Sequence, residues 1–358
     1  MYNQKAEVYR DTQPARAYPD GSKFAFYNTH SYRTEDRGVG ADLSDFYVVA
    51  VISNPVRFES RYRLFFDFLE HMKRTLPNFK TNLMVVELQQ GDRPFVVTPD
   101  CGCRFLQLRS REELWFKERM ITLGIRSLPI DWKYVAWIDG DIQFARTDWA
   151  KETWHQLQTY DVVQMFSHAI DLGPQGEPIQ THNGFMWSYE QNLCRPPQGA
   201  GTKGGYGYNP SRGFWHPGYA WAATRKAIDG AGLIDFAILG SGDHHMAHAL
   251  LGQVERSVPG NVCPRYIDEL VDWQARSKAS INGNVGHVAG TITHAFHGKK
   301  RDRRYQERWS IITDNEYDPD DDIYADAQGL WVLDPAKPRL RDQIRLYMRS
   351  RNEDSIDL

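Results

Sequence analysis

Apolar residues along the chain follow two spacings. Unbroken runs in "DFYVVAVISNP", "NLMVVELQ" and "YVAWIDGDIQF" read as strands buried on both faces. Between the first two, "RFESRYRLFFDFLEHMKRTL" repeats its apolar residues every three or four positions and predicts an amphipathic helix. The segment "REELWFKERMITLGIRSLP" predicts a second helix ending near Gly124, preceded by a short strand in "RFLQLR". Alternation of this kind predicts an α/β protein with a mostly parallel sheet flanked by helices. The second half is less regular. "DVVQMF" and "THAFHG" carry strands, "GYAWAATRKAIDGAG" and "GDHHMAHALLG" read as helices ended by glycine, and helical spacing returns near the C-terminus.

These patterns divide the 358 residues into an extended lead-in over 1–45, a domain over 46–310, and a tail over 311–358 with a helix. A formal net charge of -3 argues against a surface that binds polyanions throughout, though a local basic patch is compatible with it. The first residues lack the apolar core of a secretory signal. No apolar run is long enough to span a membrane. The expectation is a soluble, cytoplasmic protein. Four cysteines show no zinc-ribbon spacing and read as reduced thiols. "RPPQGAGTKGGYGYNPSRG" is a long Gly- and Pro-rich loop, and Gly199 to Gly207 has the composition of a lid.

The strand "YVAWIDGDIQF" ends in Asp139 and Asp141, where a buried carboxylate must be paired, metal-bound or neutralised. Asp-Gly-Asp is also a common turn. Read chemically, the pair offers hard oxygen ligands for Mg²⁺ or Mn²⁺. Far downstream, His297-Gly298-Lys299-Lys300 supplies a metal-ligating ring, a permissive backbone and two cations suited to phosphate. Asp243 fits either a helix N-cap or a general base. His244 and His248 stand one helical turn apart, without the glutamate of a zinc-protease helix. Trp215, Tyr219 and Trp221 suit a stacking platform or ordinary core packing. The basic run Lys299–Arg308 suits solvated surface or a polyanionic acceptor.

Strand, acid pair and distant His-Gly-Lys together resemble the GT-A glycosyltransferases over roughly residues 45–310. The resemblance implies a GT-A fold, a Rossmann-like sheet whose residues 46–145 bind nucleotide and whose residues 146–310 form a less regular acceptor half. It implies a uridine-diphosphate sugar donor and Mn²⁺ or Mg²⁺. Asn54, Arg57, Arg61 and Glu87 would line the nucleotide edge, with Lys117 of "LWFKER" in the pocket. Asp139 would contact the sugar nucleotide and Asp141 the metal. His297 would be a further ligand, in competition with His294, and Gly298, Lys299 and Lys300 would face the diphosphate. Trp215, Tyr219, Trp221 and His244 would meet the acceptor, and Asp243 would be the base of an inverting reaction. A single Asp243 after Gly242 replaces the family's usual acidic pair.

"VVEL", "KER", "AWIDGDI", "VVQMF" and "HGKKRDRRYQERW" are also similar to glycosyltransferases of tailed phages. That similarity implies hydroxymethylated pyrimidine DNA as acceptor and a host cytoplasm as location. Two rival readings stand beside it. One is a metal-dependent phosphoesterase or nuclease, which would gather more carboxylates around two metals. The other is an inert carbohydrate- or DNA-binding protein.

Overall fold

The structure, a computed structural model, describes residues 43–191, 193 and 215–357. Most of the expected lead-in, Cys194 and the expected lid at Gly199–Gly207 lie outside the described residues. The described chain opens with β1 (Phe46–Ser53), α1 (Glu59–Thr75), the single turn α2 (Phe79–Asn82), β2 (Leu83–Gln90) and β3 (Arg104–Ser110). Next come α3 (Lys117–Arg126), β4 (Tyr134–Ile138), β5 (Ile142–Phe144), α4 (Trp149–Gln156) and β6 (Val162–Gln164). The middle holds β7 (His168–Leu172), β8 (Pro178–Gly184), α5 (Phe185–Glu190), β9 (Trp215–His216), β10 (Ala220–Thr224) and α6 (Arg225–Ala231). The last part holds α7 (Gly242–Leu250), α8 (Pro264–Ser280), β11 (Val285–His287), β12 (Thr291–His294) and α9 (Trp309–Thr313). A hairpin of β13 (Ile323–Ala325) and β14 (Trp331–Leu333) then leads to α10 (Pro338–Ser350).

Seven strands form the main sheet in the order β11-β6-β10-β4-β1-β2-β3. β1 pairs in parallel with β2 and β4, β2 with β3, and β6 with β11, while β10 runs antiparallel between β4 and β6. This is an α/β fold with a mixed, mostly parallel sheet. Its central strands are nearly continuous apolar runs because helices cover both faces. Along β1, Tyr47 and Val49 face one core with Met120 and Ile121 of α3, Trp273 of α8 and Ile344 of α10. Phe46, Val48, Ala50 and Ile52 face the other, with Phe65, Phe68, Leu69 and Met72 of α1. The three- and four-residue spacing of that α1 set is what makes the helix amphipathic.

Two expected elements differ. The helix expected from Arg111 begins only at Lys117, since Leu114 and Phe116 are buried and Trp115 N–H donates to Ile238 C=O. "GYAWAATRKAI" is strand β10 followed by helix α6, with Thr224 Oγ1 accepting from Ala227 N–H as the N-cap. Alternating neighbours on both sides hold Ala220–Thr224 extended despite its helical composition.

A second sheet of five short strands, in the order β5-β12-β7-β8-β9, stands apart from the first. It bears on function because β4 of the main sheet passes through Asp139-Gly140-Asp141 directly into β5. Residues 311–357 fall in the same compact unit as both sheets.

Candidate active site

The turn after β4 is locked from both sides. Asp139 N–H donates to Tyr219 C=O, and Ala295 N–H donates to Asp141 C=O. A Cβ on Gly140 would lie 2.4 Å from the Phe65 ring of α1, so the turn closes against the helix only with glycine there.

Three side chains converge beyond this turn. Asp141 Oδ2 is 3.1 Å from His297 Nε2 and 3.8 Å from His294 Nε2, and the two ring nitrogens are 3.3 Å apart. The ligating atoms of the three residues all lie within 4.8 Å of one another. Asp141 Oδ1 is buried with no hydrogen-bond partner among the described residues, a costly state unless something occupies it. Burial alone would raise the Asp141 carboxyl, but His294, His297 and Arg303 hold it well below the usual carboxylate range. One carboxylate and two imidazoles suit Mn²⁺ better than Mg²⁺, which favours all-oxygen sites. These residues therefore fit a divalent cation. Arg303 Nη2 lies 3.0 Å from His297 Nε2, a nitrogen that would have to be free of the guanidinium to hold a cation.

Asp171 on β7 is 1% exposed and has no motif around it. Its carboxylate accepts from Tyr219 Oη at 3.1 Å and from Lys300, and it pairs with His182. His294 Nδ1 lies 2.9 Å from Asp171 Oδ1. That contact fixes the His294 tautomer and frees Nε2 to face Asp141, as carboxylates behind metal-binding histidines do. Register puts the two residues side by side, since His294 of β12 pairs with Asp171 of β7. Tyr219 has φ +75°, and it stacks on His216 with ring centres 3.8 Å apart.

A cavity of about 670 Å³ opens in front of the three residues. It is lined by the C-terminal end of β1, the start of α3, the Asp139–Asp141 turn, the start of α7, the 297–308 loop and the C-terminal segment. Lys117, the first residue of α3, pairs with Asp139 at 2.5 Å. Desolvation pushes Asp139 up to about 6, with Asp141 adding to the rise and Lys117 opposing it. Burial pushes Glu118 up to about 7, with Lys117 opposing and Asp243 reinforcing the rise. Asp243 lies in the first turn of α7 beside Gly218, and its Oδ1 accepts from His244 N–H.

Of the sequence-predicted residues, Asn54, Arg61, Lys117, Asp139, Asp141, Tyr219, Asp243, His294, His297 and Lys300 line this cavity. The others are placed elsewhere. Glu87 is fully buried, and its carboxylate accepts from the N–H groups of Val96, Val97 and Thr98, so it clasps a loop. Arg57 is exposed in a turn, its N–H bonded to Asn54 C=O. Gly298, at φ +78°, packs against the backbone of Asn352 and Glu353. Lys299 reaches Asp357 at 3.6 Å. Trp215 packs on Phe185 and His244, and Trp221 is core, donating its indole N–H to Pro217 C=O. His244 is buried beside Trp215 and does not line the cavity.

Sequence reasoning named none of Asp171, Glu118, Arg351 and Glu353, and met Arg303 and Arg308 only within the basic run Lys299–Arg308. The C-terminal segment gives the clearest case. Glu353, 1% exposed, pairs with Arg61 (Nη2–Oε1 2.7 Å) and with Arg351 at 2.6 Å, and lies 3.6 Å from His297 Nδ1. Nothing local in "SRNEDSIDL" marks that role.

No protein-family model and no curated protein matches the sequence. Solved structures of nucleotide-sugar glycosyltransferases share the general outline. Glucosyl-3-phosphoglycerate synthase from Mycobacterium tuberculosis, in complex with Mn²⁺, UDP-glucose and phosphoglyceric acid, matches at 13% identity and a TM-score of 0.36, covering 76% of each chain. A variant of Drosophila β1,4-galactosyltransferase 7 with manganese, UDP-Gal and xylobiose matches at 11% and 0.32, covering 82% of this chain and 98% of that one. Staphylococcus aureus TarS (residues 1–349) with UDP-GlcNAc matches at 7% and 0.36, and 60% of it is covered. At such scores the likeness is one of outline and carries no inference about activity. Among the described residues no helix is long and apolar enough to cross a membrane.

Proposed function

We propose that this protein is a metal-dependent glycosyltransferase that moves a sugar from a uridine-diphosphate sugar to an acceptor hydroxyl. The observation that carries the reading is the Asp141–His294–His297 group, set at a strand end in a cavity whose other wall is rich in cations. Ligands of open α/β sheets bind beyond the carboxyl ends of the strands, where these residues stand. A divalent cation held by the three would neutralise charge on the departing diphosphate. Lys300 and Arg303 stand beside it with fixed positive charge for the same oxygens.

In an inverting reaction the acceptor oxygen attacks the anomeric carbon as the bond to the diphosphate oxygen breaks. The bonding pair leaves with the diphosphate, and the hydroxyl proton passes to Asp243. Tyr219, Gln180 and His216 line the same cavity as the metal-binding group and Asp243, and the transferred sugar would lie in that cavity. The acceptor we favour is a 5-hydroxymethylpyrimidine in DNA, by resemblance to the phage enzymes. A two-metal phosphoesterase has less support, because Asp141, His294 and His297 form the only such cluster among the described residues.

The test is release of UDP from a panel of UDP-sugars with Mn²⁺, Mg²⁺ or EDTA, with and without hydroxymethylpyrimidine DNA. Metal-dependent release is expected from one donor, and Asp141→Ala should lower it by about 10²-fold or more. Undiminished turnover in that variant would refute the reading.

A further inference from the structure

The cation-rich wall of the cavity is short of counter-ions. Arg61, Arg303, Arg308 and Arg351 all line it, and the carboxylate within ion-pair reach of Arg61 and Arg351 is Glu353. Among the described residues no carboxylate lies within ion-pair distance of Arg303 or Arg308. Both are 7% exposed. Arg303 Nε is buried with no hydrogen-bond partner among the described residues, and its Nη2 faces the metal-binding group through His297. That guanidinium is placed for the donor diphosphate.

Arg308 is placed differently. Its Nη2 donates to Ser241 Oγ at 2.6 Å and its Nη1 to Tyr347 Oη at 3.3 Å. Tyr347 Oη also accepts from Arg351 Nη1 at 3.2 Å, so one hydroxyl serves two guanidiniums. Ser241 is held at φ +85° beside Gly240 at φ +93°, and Arg308 Nη1 lies 3.1 Å from where a Gly240 Cβ would stand. Ser241 comes two residues before Asp243, the carboxylate on the acceptor side. Neutral hydroxyls do not offset the cost of a buried guanidinium. An anion brought by a ligand would do so, and a planar fork is the group that best grips phosphate.

We propose that Arg308 and Ser241 form a second anion subsite, separate from the donor diphosphate, which binds a phosphoryl group of the acceptor. The inference rests on the glycosyltransferase reading and adds a substrate class to it: the molecule that receives the sugar carries a phosphate near its reacting hydroxyl. A phosphomonoester on a small molecule and a phosphodiester in a nucleic acid share that chemistry.

The test is calorimetric titration of methyl phosphate and of dimethyl phosphate into the full chain saturated with UDP and Mn²⁺. One site for at least one probe is expected, with affinity about tenfold lower in Arg308→Met and severalfold lower in Ser241→Ala. UDP affinity should stay within about twofold in both variants, which also shows that they fold. Preference for methyl phosphate assigns a phosphomonoester, and binding of dimethyl phosphate assigns a nucleic-acid backbone. Failure of both probes to bind the UDP-loaded protein overturns the proposal, as does equal binding to Arg308→Met and wild type. Failure of UDP itself to bind is read in the first titration, and it overturns the donor reading together with the acceptor assignment built on it.

Discussion

Asp171 never touches the space where a metal would bind, yet four side chains that reach toward the cavity meet on its carboxylate. Removing its charge leaves the neighbouring backbone in place and takes away the group that orients His294 Nδ1. Asp171→Asn should therefore weaken Mn²⁺ binding by about 10–100-fold, measured by electron paramagnetic resonance of free Mn²⁺. Unchanged affinity would show that His294 is oriented by packing alone. Glu118 carries a different signature. Burial pushes its carboxyl up to about 7 from an ordinary 4.5. The unfolded chain therefore releases this proton first, and stability falls as pH rises from about 4.5 to about 7. Glu118→Gln removes that loss. The variant should be more stable than wild type at pH 8 by about 2–3 kcal/mol and equal to it below pH ~4. Urea unfolding at the two pH values checks it, and parallel curves for both proteins would reject it.

Which elements were legible follows from how local their cause is. β1, β2 and β4 announce themselves as apolar runs because a covered parallel strand needs apolar side chains on both faces. Asp139 and Asp141 stand out for the same reason, as charges at the end of such a run. Helical period predicted α1 and α7, but β10 is extended through pairing with β4 and β6, which composition does not encode. Glu87 misled because a buried carboxylate at a strand end looks the same from sequence whether it serves a ligand or a loop. Here the N–H groups of residues 96–98 satisfy it. Asp171 was illegible because β7 alternates like any half-covered strand, and its partners come from β8, from Tyr219 just before β10, from β12 and from the 297–308 loop. The basic run Lys299–Arg308 suited either a solvated surface or a polyanionic acceptor. A 3₁₀ turn at Lys300–Arg303 instead leaves Arg301 and Arg304 outside and turns Lys300, Arg303 and Arg308 to the cavity.

At the scale of the molecule, the cavity is closed by segments that lie far apart in sequence. Asp354 accepts from the N–H groups of Glu59 and Ser60 at the start of α1, and Ser60 Oγ donates to Glu353 C=O. Arg351 lies 5.1 Å over the Trp115 ring, which joins the same segment to the approach of α3. Glu353 is the pivot, since its two oxygens meet the guanidiniums of Arg61 and Arg351 while its side chain is fully buried. A buried pair contributes little relative to apolar packing, but loss of one partner strands the other charge. Glu353→Gln strands two, in a wall already short of anions. Its unfolding free energy should fall by about 3–5 kcal/mol, and part of that loss should be recovered when UDP is added, because a bound anion takes over the missing charge. Urea midpoints with and without UDP measure both effects. An unchanged midpoint would mean that water reaches Arg61 and Arg351, and that the C-terminal segment covers the cavity without holding it together.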